Sequence, residues 1–254
     1  MTAATEYVQQ DQPDGVPALS LTGERTLPDV PEENYWYRRH LVVYEWIAEH
    51  CRGLDVVDLA CGEGYGTHAL ARRAARVTGV DANPDAHEHA RLRYSRPGVR
   101  FERDLIDSFA EPCDAVVFLQ TIEHVDDPQG VLAHVKSMLR PGGTAYVSTP
   151  NVLTLAPEGA ERSDNPWHVH EYRAEEFRKL CRSWFESVEM LGLHHARKLR
   201  AHELALSAGW DALHARLGIT EVFYDRFTPA IAASDFSLRR GSLDGALDFL
   251  AVLR

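Results

Sequence analysis

Between Leu54 and Thr149, short apolar runs alternate with stretches whose apolar residues recur three and four positions apart. The short runs, rich in Val, read as buried strands. The longer stretches read as helices packed on them, so the region predicts βαβ units and a mainly parallel sheet. Strands are expected over residues 56–60, 77–81, 99–103, 115–119 and 144–148. Between the last two, Val131, Leu132, Val135, Met138 and Leu139 form one helical stripe, opened by Asp127-Pro128 and closed by Pro141-Gly142-Gly143.

Outside this region the pattern thins. Residues 1–20 mix Gln, Asp, Pro, Thr and Ala without periodicity and are expected to be a disordered tail. Residues 21–53 are polar, aromatic and broken by Pro28 and Pro31 before Val43, Trp46 and Ile47 fall at helical spacing, which predicts an N-terminal cap. After Pro150 an irregular stretch runs to about Tyr172, followed by a helix over 175–182 and a strand over 185–190. In the closing LDFLAVLR, Phe249, Ala251 and Leu253 alternate with Leu250 and Val252 as in a strand. Leu206, Trp210, Leu213 and Leu217 space as one helical face. Residues 191–245 are therefore expected to form a helical insertion before the last strand, as a lid over an acceptor site or a partner surface, within a single α/β domain over 54–254.

Composition narrows the partners. With 27 basic against 38 acidic residues among 254, the formal charge is −11. Nothing general draws such a surface to nucleic acid or anionic lipid. No apolar run approaches the roughly 20 residues that cross a bilayer, and the first residues lack the layout of a secretion signal. A cytoplasmic protein acting on a small molecule is expected, with no membrane or nucleic-acid partner and a homodimer left open. Cys51, Cys61, Cys113 and Cys181 form no CxxC pair, which argues against a metal ribbon and a disulfide framework.

The first strand carries Asp58 and runs into CGEGYG, where Gly62, Gly64 and Gly66 precede a helix. That arrangement puts backbone N–H groups and a helix N-terminus beside a nucleotide, with no Cβ to hold the ligand off. Asp81 ends the second strand, where a carboxylate accepts both hydroxyls of a ribose. The dinucleotide fingerprint G-x-G-x-x-G would need glycine at 67, where Thr67 stands, which weighs against a nicotinamide-dependent oxidoreductase.

In order along the chain, VVDLACGEGYGT, VTGVDAN, RFERD, FLQTIEHVDDP and LRPGGTAYVSTPN resemble the motifs of the class I S-adenosylmethionine-dependent methyltransferase superfamily. The resemblance covers about residues 54–151. It implies a Rossmann-like fold with a seven-stranded, mainly parallel sheet, helices on both faces, and S-adenosylmethionine as cofactor. It assigns the methionine end of the cofactor to Asp58, Ala60, Cys61, Gly62 and Gly64, and the ribose to Asp81 with Ala82 and Asn83 beside it. Asp104 would accept from the adenine amine with Leu105 against the ring. Gln120, Thr121 and Ile122 would lie near the transferred methyl. Ala60 departs from the glycine that many relatives carry there.

Methyl transfer from a sulfonium is an in-line displacement, and a hydroxyl acceptor must lose its proton. His124, beside Glu123, is the candidate base; its alternative is ordering the loop. In NPWHVHEY, His168, His170 and Glu171 could join Glu123 and His124 around a divalent cation such as Mg²⁺. They read equally as a polar loop entering a helix. Asn151 and Trp167 are candidate acceptor contacts. In ENYWYRRH, Tyr35 or Tyr37 could lid the cofactor while Arg39 or His40 reaches its carboxylate; a solvated helix face is the other reading.

The head segment LTGERTLPDVPEENYWYRRH, joined to CGEGYG, is similar to actinobacterial sugar O-methyltransferases tied to mycobacterial polymethylated polysaccharides. That resemblance implies a sugar or oligosaccharide hydroxyl as acceptor. Methylation of a natural product or quinone, at oxygen or nitrogen, is the alternative within enzymes, and a non-catalytic cofactor-binding protein the alternative outside them. A nucleic-acid base methyltransferase is disfavoured by the acidic charge and by the lack of an N/D-P-P-Y type motif.

Overall fold

The computed structural model describes residues 8–23, 25–157 and 159–254. Its strands are β1 (Asp55–Leu59), β2 (Arg76–Val80), β3 (Val99–Glu102), β4 (Cys113–Leu119), β5 (Leu139–Pro150), β6 (Val188–His195), β7 (Phe236–Arg239) and β8 (Asp248–Leu253). They form one sheet in the order β3-β2-β1-β4-β5-β8-β6-β7. β1 to β5 pair in parallel; β8 enters antiparallel between β5 and β6, and β7 lies antiparallel on β6. The strand order reverses between β1 and β4, and α/β sheets bind ligands at the carboxyl ends beside such a reversal.

The helices are α1 (Asn34–His50), α2 (Tyr65–Leu70), α3 (Pro84–Arg93), α4 (Pro128–Met138), α5 (Val152–Leu155), α6 (Ala174–Arg182), α7 (Arg197–Ser207), α8 (Trp210–Arg216) and α9 (Thr220–Phe227). α4 starts where its residues demand. Asp127 accepts the Gly130 N–H at 2.9 Å, and Pro128 occupies a position that needs no donor. Both sheet faces are covered, so each strand feeds two cores by its period of two. Val57 and Leu59 face Phe118, Leu132 and Phe177; Val56 faces Ile47, Leu70 and Tyr146.

Three features depart from the sequence pattern. The sheet has an eighth strand, β7, whose four residues are too few for alternation to stand out inside the insertion. The expected single face of Leu206, Trp210, Leu213 and Leu217 is broken at Gly209 (φ +88°), which ends α7 and caps α8, leaving Leu213 and Leu217 exposed. Residues 8–20 are tied down at Gln9 and Leu19: Leu19 joins Leu27 and Val30 in a small apolar cluster and Gln9 is 5 % exposed, while most of the segment between them faces solvent. Residues 1–7 of the expected tail lie outside the described residues. No helix among the described residues is long and apolar enough to cross a membrane.

Candidate active site

A cavity of about 790 Å³ opens at the carboxyl ends of β1 and β4. Ala60, Cys61 and Gly62, from the turn after β1, line one wall. Ala60 and Gly62 both have φ +56°, and Gln120, at the matching end of β4, has φ +50°. Two non-glycine residues in the left-handed region at one cavity are strain that the surrounding fold holds in place. A Cβ on Gly62 would meet no protein atom within 4 Å, so this is the glycine whose bareness leaves backbone open to a ligand. Asp81 also lines the wall. Its Oδ2 accepts from Gly62 N–H at 2.8 Å and its Oδ1 from Asn83 N–H at 2.9 Å. Those two bonds fix the carboxylate and leave it further lone pairs for ribose hydroxyls.

The other two glycines of the turn answer to the protein. A Cβ on Gly64 would stand 2.8 Å from Ala90 Cβ, and one on Gly66 would stand 2.2 Å from the Tyr44 ring. Gly64 is therefore a packing glycine under α3, and it does not line the cavity. Asp58 does not line it either. It is buried, accepting from Thr67 Oγ1 at 2.7 Å and Tyr44 Oη at 3.3 Å, and burial pushes it up to about 7 against those two bonds. Asp58 thus ties β1 to α1 and α2, and Thr67, at the position where a dinucleotide fold needs glycine, supplies one of the ties.

Farther round, Ala82, Asn83, Asp104 and Leu105 do not line the cavity. The Asn83 side chain caps α3 by accepting from Asp85 and Ala86 N–H. Asp104 Oδ1 accepts from Leu105 N–H, and Leu105 is 57 % exposed. Thr121 lines the cavity with Gln120, whereas Ile122 is wholly buried in the core behind it.

The reading of Arg39 changes most. Its guanidinium is buried and donates to both Asp248 carboxylate oxygens at 2.5 and 2.7 Å, with a third bond to Leu247 O at 2.8 Å, joining α1 to β8 across 209 residues. It therefore holds the fold and does not reach into the cavity. Tyr37 packs edge-on against Tyr65 and does not line the cavity, whereas Trp36 and His40 do. Burial lowers His40 to about 4, so its ring is neutral near pH 7 and offers no charge to a carboxylate.

The histidine wall is assembled by loops. His124 Nδ1 lies 2.9 Å from Trp167 O. A carbonyl only accepts, so Nδ1 carries the proton and the neutral ring's lone pair is on Nε2. The Trp167 indole, 47 % exposed, lines the cavity beside it. Asn165 Oδ1 accepts from Trp167 N–H, which turns its Nδ2 toward His168 Nε2 at 3.0 Å. His168 Nδ1 then donates to Glu171 Oε1 at 2.6 Å. Burial raises Glu171, but hydrogen bonds from Ser163 and His168 overcome it and hold the carboxyl below its usual range. Glu123 is 1 % exposed, and burial pushes it up to about 8, so it is mainly protonated near pH 7. Its carbonyl accepts from Val169 and His170 N–H, pinning the loop.

Glu123, His124 and His168 bring one ligand atom each within 4.8 Å of the others. As a divalent-metal site this donor set fits poorly, because the His168 Nε2 lone pair already accepts from Asn165. His170 is exposed and pairs with Glu176 at 2.7 Å, away from the cavity. Asn151 is fully buried, capping α5 and donating to Ala246 O at 2.8 Å, so it meets no acceptor. Motif reading missed Ser163 and Asn165, which orient Glu171 and His168. It also missed the wall formed by Leu21, Gly23, Arg25 and Thr26.

Comparisons with known proteins identify the family. Residues 33–200 match the model of a family described as methyltransferase domain. A Mycolicibacterium smegmatis protein named as a probable S-adenosylmethionine-dependent methyltransferase is 37 % identical, covering 92 % of this chain and 95 % of that one. A ubiquinone biosynthesis O-methyltransferase of Erwinia tasmaniensis is 34 % identical over 42 % of this chain and 48 % of its own. The solved structure of a SAM-dependent methyltransferase from Thermotoga maritima shares the fold, with a TM-score of 0.58 at 18 % identity over 87 % of this chain and 94 % of its own. The chain belongs to the methyltransferase domain family and is an S-adenosylmethionine-dependent methyltransferase.

Proposed function

We propose that the enzyme methylates a hydroxyl of a small molecule, with a sugar or oligosaccharide as the acceptor and His124 as the general base. The observation that carries this reading is the His124–Trp167 pair: an imidazole whose proton is held on Nδ1 by a backbone carbonyl, beside an exposed indole in the same cavity. A Trp face suits the apolar face of a sugar ring. An imidazole with its lone pair on Nε2 is matched to removing a hydroxyl proton near neutral pH. The ubiquinone O-methyltransferase relative supports oxygen as the accepting atom.

When bound, the cofactor supplies a methyl group on a sulfonium, electrophilic without further activation. The chain's own residues would do the rest. Asp81 takes the ribose, with Cys61 and Gly62 behind the methionine end and Gln120 and Thr121 near the methyl. Trp167 would orient the acceptor, and His124 Nε2 would receive the hydroxyl proton as the acceptor oxygen bonds to the methyl carbon and the carbon–sulfur bond breaks, its electron pair returning to sulfur. Glu123, neutral and buried, positions His124 through the loop it pins and does not itself take a proton. The test is incubation with labelled S-adenosylmethionine and a panel of partly methylated mannosides, glucosides, quinols and unrelated alcohols. Labelled sugar ethers are expected; label only in a quinol or an unrelated alcohol would replace the sugar reading.

A further inference from the structure

S-adenosylmethionine brings a carboxylate into a cavity whose lining includes the carboxyl groups of Glu33, Glu63, Asp81, Glu123 and Asp164. The cations that sequence reasoning offered for it are spent or neutral. Arg39 is buried on Asp248, and His40 is uncharged near pH 7. Arg38 donates to Asn34 Oδ1 and stacks on Tyr37.

Arg25 is different. It is the one arginine or lysine among the described residues that line the cavity, it is half-buried, and it has no hydrogen-bond or ion-pair partner among the described residues. A guanidinium withdrawn from water without a partner carries a desolvation cost that a ligand carboxylate removes, and its planar fork fits a carboxylate with two parallel bonds. Nor is Arg25 on a loose tail. Leu19, Leu27 and Val30 pack together on either side of it in sequence. Just beyond, Arg93 grips Asp29 at 2.5 Å. Gln9 bonds Pro28 O at 3.2 Å and Glu63 at 3.1 Å, and His89 bonds Pro17 O at 2.6 Å. Buried Glu63, from the glycine turn itself, also accepts from Tyr94 at 2.9 Å and pairs with His89 at 2.9 Å. One hub thus fastens the N-terminal strap over the turn.

We propose that Arg25 is the anion anchor of the cavity, pairing with a ligand carboxylate beneath the fastened strap. Two ligands can present that carboxylate: the methionine end of the cofactor, or an acid group on the acceptor. This inference rests on the methyltransferase assignment for its first source only.

Calorimetry on the full-length wild type and on Arg25→Ala, with adenosylhomocysteine and with decarboxylated S-adenosylmethionine, tests it. A loss of roughly 10- to 100-fold in affinity for adenosylhomocysteine, with the decarboxylated compound unchanged and partial recovery in Arg25→Lys, identifies the cofactor carboxylate. If both cofactor compounds bind Arg25→Ala normally, acetate titrated into the wild type saturated with adenosylhomocysteine separates the remaining cases. Acetate binding that Arg25→Ala abolishes assigns the anchor to the acceptor side, and no acetate binding overturns the proposal. Equal loss for both cofactor compounds also overturns it, since the strap would then be acting only as structure. A wild type that binds neither cofactor compound would remove the methyltransferase assignment, and the acetate titration on the free protein would then decide the anion site alone.

Discussion

On its β1 side the cavity is walled by backbone. Ala60, Cys61 and Gly62 are consecutive, and the amides of Gly62 and Asn83 hold Asp81 in place. The histidine wall is built from side chains on segments far apart in sequence: His124 after β4, Trp167 and His168 on the long loop after α5. A backbone wall is specified by a short local sequence, because a tight turn at a strand end permits few residues. A side-chain wall is specified only once the loops meet. The first kind suits a cofactor shared by a family, and the second suits an acceptor that differs between members.

If the walls divide the work in this way, substitutions on them separate. His124→Ala is expected to lower kcat by roughly 10²-fold or more while leaving the dissociation constant for adenosylhomocysteine unchanged. Asp81→Ala is expected to weaken adenosylhomocysteine by about 10- to 100-fold, since a charged acceptor of two hydroxyl donors is lost. Single-turnover kinetics and calorimetry on both variants read the two effects independently. A His124 variant that binds the cofactor poorly, or an Asp81 variant that binds it normally, breaks the division.

Much of the β1 wall and the parallel half of the sheet was legible in the sequence, because valine runs, Asp127-Pro128 and the glycine turn act locally. Where that reading went astray, a local rule met a distant partner. The bareness of Gly64 and Gly66, which the turn motif ties to a ligand, is required by Ala90 and Tyr44, the residues that a Cβ there would meet. Arg39 looked like a cofactor arginine because nothing in ENYWYRRH points to Asp248. Asn151 and His170 follow the right strand, but one caps a helix and the other pairs with Glu176. Of the two roles expected for the insertion, a lid or a partner surface, the lid is the one that the lining does not support: among the described residues none from 191–245 lines the cavity. Asn34 instead donates to Thr228 O and Ile231 O, drawing that segment onto the start of α1.

On the histidine wall, burial governs the titration of Glu123. Glu123 rises from 4.5 to about 8 on folding. Between those values the folded chain binds more protons than the unfolded chain, so this group makes stability fall as pH rises from about 4.5 to about 8. Glu123→Gln, neutral at every pH, is expected to match the wild type near pH 4.5 and to exceed it near pH 8 by on the order of a few kcal/mol. Urea unfolding of the cofactor-free proteins across that range measures the difference. A gap that does not widen with pH would mean Glu123 is ionised in the fold.

The smallest expected effect lies on the backbone wall. Ala60 sits at φ +56°, where an L side chain brings Cβ against the following carbonyl at a cost of roughly 1–2 kcal/mol. Ala60→Gly removes that strain but adds freedom to the unfolded chain, worth about 0.5–1 kcal/mol in the opposite direction. The net expectation is a gain of up to about 1 kcal/mol in the cofactor-free protein, read as a higher urea midpoint at unchanged slope. Gly62, two residues on and also left-handed, marks the contrast. A Cβ there meets no protein atom, so Gly62→Ala is expected to cost about the same strain in stability and to lower cofactor affinity as well. If Ala60→Gly instead destabilises the fold and weakens the cofactor, the methyl of Ala60 is a contact surface for the ligand, and the wall is not made of backbone alone.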